Sequence, residues 1–182
     1  AGSNLTVDAG GALAYTGSAA KDRLELDTVA DVASTDTLNG GGGHDTLAIS
    51  AELGTDFTAA QRAVISNFEA LEYEGAQDIT SDGAATIDLT KITGVNEVFI
   101  NGVLTTDTND ILTINADDGM TLRQDAAHIA TITWQTVVVT NAADAGTDNT
   151  VNWALDVEAG GAATSIDGLV IDNVENLSIA LS

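Results

Sequence analysis

Ile65-Ser66-Asn67-Phe68-Glu69-Ala70-Leu71-Glu72-Tyr73 returns near the end of the chain as Ile171-Asp172-Asn173-Val174-Glu175-Asn176-Leu177-Ser178-Ile179. The two copies share Ile, Asn, Glu and Leu and keep two further positions apolar, and a looser copy reads Ile92-Thr93-Gly94-Val95-Asn96-Glu97-Val98-Phe99-Ile100. Asn or Gly at the third position suits a residue with positive φ, where other side chains clash with their own backbone. Apolar residues at every second place thereafter suit a strand leaving that turn with one face buried. A turn-strand unit repeated in this way cannot bury its apolar face alone and must stack on copies of itself. Phe68, Leu71, Val95, Val98, Val174 and Leu177 are therefore expected at equivalent buried places in successive turns.

A second repeat, Asp-x-Leu-x-Leu/Ile, points the same way. It occurs as Asp22-Arg23-Leu24-Glu25-Leu26, Asp45-Thr46-Leu47-Ala48-Ile49 and Asp110-Ile111-Leu112-Thr113-Ile114, with a shorter Asp36-Thr37-Leu38. In each, an acidic turn residue hands over to a strand with alternating apolar side chains. Further strand signals, rich in Val, Ile, Leu and Thr and bounded by Gly, Asp and Asn, lie at 85–89, 98–101, 111–115, 120–123, 129–134, 136–140, 151–157 and 177–181. The stretch 56–66 differs, because Asp56 suits an N-cap and Phe57, Ala60 and Val64, with Ala63 and Ile65, form a stripe at helical spacing. The expected fold is all-β, a β-solenoid or parallel β-roll-like stack of short strands with one short helix at 56–66. Residues 1–182 read as a single β-rich domain and as a segment that could belong to a longer chain.

The charge balance is extreme: 28 Asp and Glu against 5 Lys and Arg give a formal charge of −23. Asp outnumbers Glu by 20 to 8 and sits beside Gly, Asn and Thr, which is turn chemistry rather than helix surface. Acidic turns of this kind either keep a chain soluble or hold a hard cation through oxygen ligands. Nucleic acid is not an expected partner, since neutralising phosphates takes clustered cations. No apolar run approaches the roughly 20 residues that a membrane-spanning helix needs, so no membrane insertion is expected. With no Cys there is no disulfide framework and no thiolate site, and zero Pro has no evident physical reason.

Leu38-Asn39-Gly40-Gly41-Gly42-Gly43-His44-Asp45-Thr46-Leu47 resembles the nonapeptide of RTX (repeats-in-toxin) proteins, Gly-Gly-x-Gly-x-Asp-x-Leu-x, with Gly40, Gly41, Gly43, Asp45 and Leu47 at its defining positions. The resemblance implies backbone carbonyls turned toward Ca²⁺, a carboxylate from Asp45, and Leu47 in the core of a parallel β-roll. The candidate metal ligands are Asp45 and the carbonyls of Gly41 and Gly43, with Asp36 or Asn39 nearby as a further ligand, and Ca²⁺ as the cofactor. Hard cations take six to eight oxygens, and glycine lets carbonyls turn inward without a Cβ clash. A plain glycine-rich turn is the alternative reading of the same residues. The neighbouring Asp36-Thr37-Leu38 and Asp22-Arg23-Leu24 lack the glycines of a full second copy, although Gly17 precedes the latter. Acidic loops at 107–110, 117–119 and 144–148 are further candidate calcium loops without the spacing of an EF-hand.

Over about two-thirds of its length the chain is similar to RsaA-like S-layer proteins and related RTX adhesins, through the Gly-rich turn, the short helix, Asn67-Phe68-Glu69-x-Leu71, Thr86-Ile87-Asp88-Leu89 and Asn173-Val174-Glu175-x-Leu177. That resemblance implies a secreted, extracellular, cell-surface structural protein that folds and self-assembles with calcium into a lattice or filament, with a cell-surface glycan as a further partner. Enzyme signatures are not found: there is no Gly-x-Ser-x-Gly, His-Glu-x-x-His or Gly-x-x-x-x-Gly-Lys motif. His44 and His128 are the two His, and Trp134 and Trp153 lie in strand segments. The expectation is a structural protein rather than an enzyme, with an adhesin spacer domain and a β-solenoid carbohydrate-active enzyme as the alternatives.

Overall fold

Each strand of the longest sheet pairs with a strand one repeat further along the chain, and every pairing is parallel. The computed structural model describes residues 2–7, 11–50, 57–74, 77–78, 84–88, 92–101, 104–105, 111–115, 120–124, 133–134, 136–140, 150–155, 165–166, 169–172 and 176–181. The long sheet has eight strands: β1 (Asn4–Val7), β3 (Arg23–Leu26), β5 (Thr46–Ile49), β7 (Ala70–Glu74), β10 (Glu97–Asn101), β13 (Met120–Gln124), β16 (Thr150–Leu155) and β19 (Asn176–Leu181), in that order. A three-stranded sheet joins β2 (Ala14–Thr16), β4 (Thr37–Asn39) and β6 (Ile65–Ser66). A four-stranded one joins β9 (Ala84–Asp88), β12 (Ile111–Asn115), β15 (Thr136–Thr140) and β18 (Leu169–Asp172). Two-stranded pairs link β8 (Gln77–Asp78) to β11 (Leu104–Thr105) and β14 (Thr133–Trp134) to β17 (Ser165–Ile166). Parallel strands stacked in chain order, with the path passing between sheets within each rung, make a β-solenoid.

The Asp22 and Asp45 copies of the acidic repeat align residue for residue, with Leu24 against Leu47 and Leu26 against Ile49. Leu71 and Tyr73 continue these two inward ladders on β7. Leu24, Leu26, Leu47 and Ile49 are fully buried. Tyr15, Leu38 and Ile65 form the buried ladder of the three-stranded sheet, and the Tyr15 ring stacks on Phe68 with centroids 6.4 Å apart. The Asp36 and Asp110 copies do not add rungs to the long sheet, because Thr37–Asn39 and Ile111–Asn115 are strands of the three-stranded and the four-stranded sheet.

The nine-residue repeat also stacks, with one correction. Its copies at Ile65 and Ile92 lie on adjacent rungs, Leu71 against Val98 and Tyr73 against Ile100, and Phe68, Leu71, Val95 and Val98 are buried as expected. Asn67 and Gly94 both have positive φ, 55° and 97°, as the third position of the repeat requires. In the third copy, however, Ile179 rather than Leu177 continues the Leu71–Val98 ladder, through Leu122 and Trp153. A slip of two residues keeps the same side chains facing inward, so alternation alone does not register it. Val174 and the side chain of Leu177 lie outside the described residues.

The helix is shorter than the apolar stripe suggests. It is one turn, Ala59–Arg62, capped by Thr58 in a reciprocal box with Gln61, and Ile65–Ser66 is already strand. Val64 and Ser66 are claimed by the neighbouring rung, since the amides of Leu38 and Gly40 donate to their carbonyls at 2.9 and 3.0 Å. The Gln61 amide donates to the carbonyls of Val29 and Val32. This ties the helical turn to the 3-10 turn Val29–Asp31 of the previous rung. Asp56, expected as the cap, lies outside the described residues, as do 129–132 of the expected strand 129–134.

Rung-on-rung contact fixes which glycines matter. A Cβ on Gly40 would meet the Asn67 carbonyl oxygen at 1.9 Å and the Asp45 Cβ at 2.8 Å, whereas one on Gly42 would come no nearer than 3.9 Å to Ala19. We expect Gly40→Ala to destabilise the fold strongly and Gly42→Ala to change stability by less than about 0.5 kcal/mol. Leu47→Ala, which opens a cavity in the central ladder, should cost about 2–5 kcal/mol. Urea unfolding of the three variants against the parent checks the order.

Candidate functional site

The corner between the three-stranded and the long sheet carries four of the five sequence-predicted metal residues. In two rungs it spans Gly17 to Asp22 and Gly40 to Asp45, and in the next it shortens to Asn67, Phe68 and Glu69. Gly41 and Gly43 take positive φ, 101° and 125°. Asn39 Oδ1 accepts the Gly41 amide and the Asn67 side-chain amide, each at 2.9 Å. Asn39, Gly41, Gly43 and Asp45 thus share one corner. Asp36 does not belong to it, because it precedes β4 at the far end and its two oxygens accept the amides of Leu13 and Ala33 at 2.9 and 2.6 Å.

The acidic residue that precedes each of β3, β4, β5 and β7 performs one repeated task. Asp45 Oδ1 accepts the Asp22 amide at 2.7 Å, and Glu69 Oε2 accepts the Asp45 amide at 2.8 Å. Asp22 Oδ1 accepts the Ser3 amide at 2.5 Å. In each case the carboxylate of one rung satisfies the amide of the aligned residue on the previous rung, just before the strand ladder begins. Asp36 does the same for Leu13 ahead of β2. A buried amide left without a partner costs about 1–3 kcal/mol, and a carboxylate is the stronger acceptor. This explains why Asp or Glu stands two places before the first inward apolar residue at Asp22, Asp36, Asp45 and Glu69. Sequence reading singled out the Asp residues of the repeat but not Glu69, whose equivalence to Asp45 shows only once β5 and β7 are aligned.

Neighbours along this column titrate in opposite directions. Backbone hydrogen bonds from Ser3 and Ser18, joined by both serine hydroxyls, hold Asp22 well below the ordinary carboxylate range. Asp45 is pushed up, first by burial and then by the charges of Glu69 and Asp22, against the hydrogen bond from the Asp22 amide. Among the described residues no three His, Cys, Asp or Glu side chains come together in a metal-holding group.

A second assembly lies on the outer face of the long sheet. Arg23 pairs with Glu25 at 2.7 Å and with Glu72 at 2.9 Å, two rungs further on, and also with Glu74. The small Ala48 stands between Glu25 and Glu72 in the ladder, which lets the guanidinium lie across it. Burial opposes the charge of Arg23, but the three carboxylates outweigh it and raise its pKa above the ordinary value. Beyond it Glu97 joins Arg123 at 2.9 Å and His44 at 3.3 Å, and the Arg123 guanidinium sits 4.4 Å from the Phe99 ring centre. Cations that are scattered in the sequence are thereby gathered on one face.

Compared with protein-family models, with curated proteins and with solved structures, the chain gives no significant match to any of them.

The column makes a signed pH prediction. Asp22, with its folded pKa lowered below 3.8, contributes stability that is complete above about pH 4 and is lost as pH falls through its folded value. Asp45, with its folded pKa raised, costs stability when ionised and returns it as pH falls through that raised value. Asp45→Asn keeps an oxygen for the Asp22 amide and removes the repulsion, so at neutral pH it should be at least as stable as the parent. It should also lose the gain that the parent shows on mild acidification. Asp22→Asn should lower the thermal midpoint at neutral pH, because its NH₂ would face the Ser18 amide and hydroxyl. Thermal melts of both variants from pH 7 to pH 3 read these outcomes.

Proposed function

We propose that this chain is a structural module of an extracellular surface layer or matrix, which joins to copies of itself through its sheet edges and uses calcium at its acidic corners. The observation that carries this reading is the relation between the two ends of the long sheet. Among the described residues β1 and β19 each pair on one side only. Among the described residues the large apolar side chains that stand exposed, Leu5 at 42% and Ile179 at 54%, occupy the two ends of one backbone ladder, Leu5–Leu24–Leu47–Leu71–Val98–Leu122–Trp153–Ile179. A strand edge of this kind takes up a further parallel rung, from another copy or from chain outside residues 1–182. A head-to-tail contact between unlike ends propagates into a filament rather than closing into a dimer. In such a contact Leu5 of one copy covers Ile179 of the next and continues the ladder.

Calcium fits this reading through charge. A formal charge of −23 opposes the approach of like copies. The Asp45 carboxylate is buried and disfavoured in its ionised form, and a cation beside it would stabilise that form. Asn39, Gly41, Gly43 and Asp45 are the residues that would hold it, and oxygen ligands of this kind suit Ca²⁺. The resemblance of Gly40–Leu47 to the RTX nonapeptide supports the same ion.

The test is light scattering and thermal unfolding of the chain in EDTA and then in millimolar Ca²⁺, with Asp45→Ala and Ile179→Asp as variants. Calcium should raise the unfolding midpoint of the parent, by about 2.7 kcal/mol of stability at a hundredfold excess over Kd, and promote growth into filaments or sheets. Asp45→Ala should lose the calcium response, and Ile179→Asp should keep the thermal response but remain monomeric. A calcium-independent monomer at all protein concentrations would refute the reading.

A further inference from the structure

The outer face of the long sheet holds a trough whose origin is a size pattern along two ladders. In one, Arg23, Thr46, Ala70 and Glu97 follow each other on successive rungs, and in the next Glu72, Phe99 and Arg123 do so. Thr46 and Ala70 are small between large neighbours, and strands stack about 4.8 Å apart, so two rungs of short side chains leave a gap. The resulting cavity of about 240 Å³ has Thr46 and Ala70 between walls of Lys21, Asp22, Arg23, His44, Glu97, Phe99 and Arg123, and the Asp22 carboxylate is taken up by the amides and hydroxyls of Ser3 and Ser18.

Its charge is out of keeping with the rest of the chain. Three of the five Lys and Arg residues and one of the two His, in a chain of net charge −23, line this one trough. Arg23 is taken up by Glu25, Glu72 and Glu74, and Arg123 and His44 share Glu97. Lys21 has no carboxylate partner among the described residues and stands exposed at the rim. An occupant would meet the ammonium of Lys21, with the Arg123 guanidinium and the His44 imidazole beside Glu97. It would also meet hydrogen-bond acceptors, the Glu97 carboxylate and the Thr46 hydroxyl, and apolar surface at Ala70 and Phe99.

We propose that this trough binds a uronic acid, a sugar ring that carries one carboxylate. The cations select the carboxylate, the acceptors suit ring hydroxyls as donors, and the apolar floor suits the C–H face of the ring. A simple anion offers no donors to Glu97 and Thr46, and a neutral hexose leaves Lys21 unanswered. The trough is smaller than the usual range for drug-sized ligands, about 300–1,000 Å³, which suits one sugar unit with its neighbours outside. The proposal does not depend on calcium or on assembly, so its failure would leave the preceding reading untouched, and the reverse also holds.

The experiment is an NMR titration of the parent chain with D-glucuronate, D-glucose and acetate at low ionic strength, repeated on Lys21→Gln. Glucuronate should shift the amides of Lys21, Thr46 and Phe99 with a Kd of about a millimolar, and glucose and acetate should each bind at least about tenfold more weakly. Lys21→Gln should weaken glucuronate by about tenfold while leaving the thermal midpoint unchanged, and added salt should weaken it in the parent. Acetate binding as tightly as glucuronate would overturn the sugar assignment, and glucose binding as tightly would overturn the role of the cations. Absence of shifts at these amides with tens of millimolar glucuronate would overturn the site.

Discussion

The hydrogen bond from the amide of Asp22 to the carboxylate of Asp45, with its counterparts at Ser3, Asp45 and Leu13, is the constraint on which the stack depends. A parallel sheet satisfies its amides from the first paired residue onward, but the residue just before each strand has turned out of the ladder. Water would normally satisfy that amide, yet Asp22 and Asp45 are buried at 2% and 1% exposure. The acceptor has to come from the next rung, and it does so only when that rung begins its strand at the same place. The carboxylate column thus sets register as well as satisfying donors. A slip of one residue would both orphan an amide and turn Leu24, Leu26, Leu47 and Ile49 to the outside.

The same column accounts for part of the chain's acidity. Asp22, Asp31, Asp36, Asp45 and Glu72 are buried, and the described structure gives each a partner: amides for the four Asp and Arg23 for Glu72. A buried carboxylate survives only with such partners. The cost appears at Asp45, where one amide competes with burial and with two like charges. The outer face resolves its charges differently, by leaving small residues at Ala48, Thr46 and Ala70 so that long side chains reach across rungs. Those substitutions for larger residues also leave the trough beside Lys21.

Much of this was legible in the sequence, for a physical reason. Stacked rungs repeat their demands, so the turn residue and the inward residues recur in the chain, and the Asp22 and Asp45 repeats fall on each other without error. Ile65 and Ile92 do so as well. The third copy failed by two residues because alternation reports the face and not the position along the strand. The helix was overestimated because the apolar residues Val64 and Ile65, which extend a helical stripe, serve the edge of β6 instead. The candidate site was less legible. Asp36 and Asn39 are close in sequence but stand at opposite ends of β4, and Lys21, His44, Glu97 and Arg123 meet only through the rung order. A carboxylate that accepts an amide and one that binds calcium also leave the same letter in the sequence.

Amide hydrogen exchange, followed residue by residue in the parent and in Asp45→Ala, tests the column most directly. The account predicts that the Asp22 amide, although it lies in a turn, exchanges as slowly as the neighbouring strand amides in the parent. In Asp45→Ala its protection should fall sharply while that of Leu24 and Leu47 largely persists. Exchange of the Asp22 amide at the rate of an open turn in the parent, or protection unchanged by removal of the Asp45 carboxylate, would contradict it.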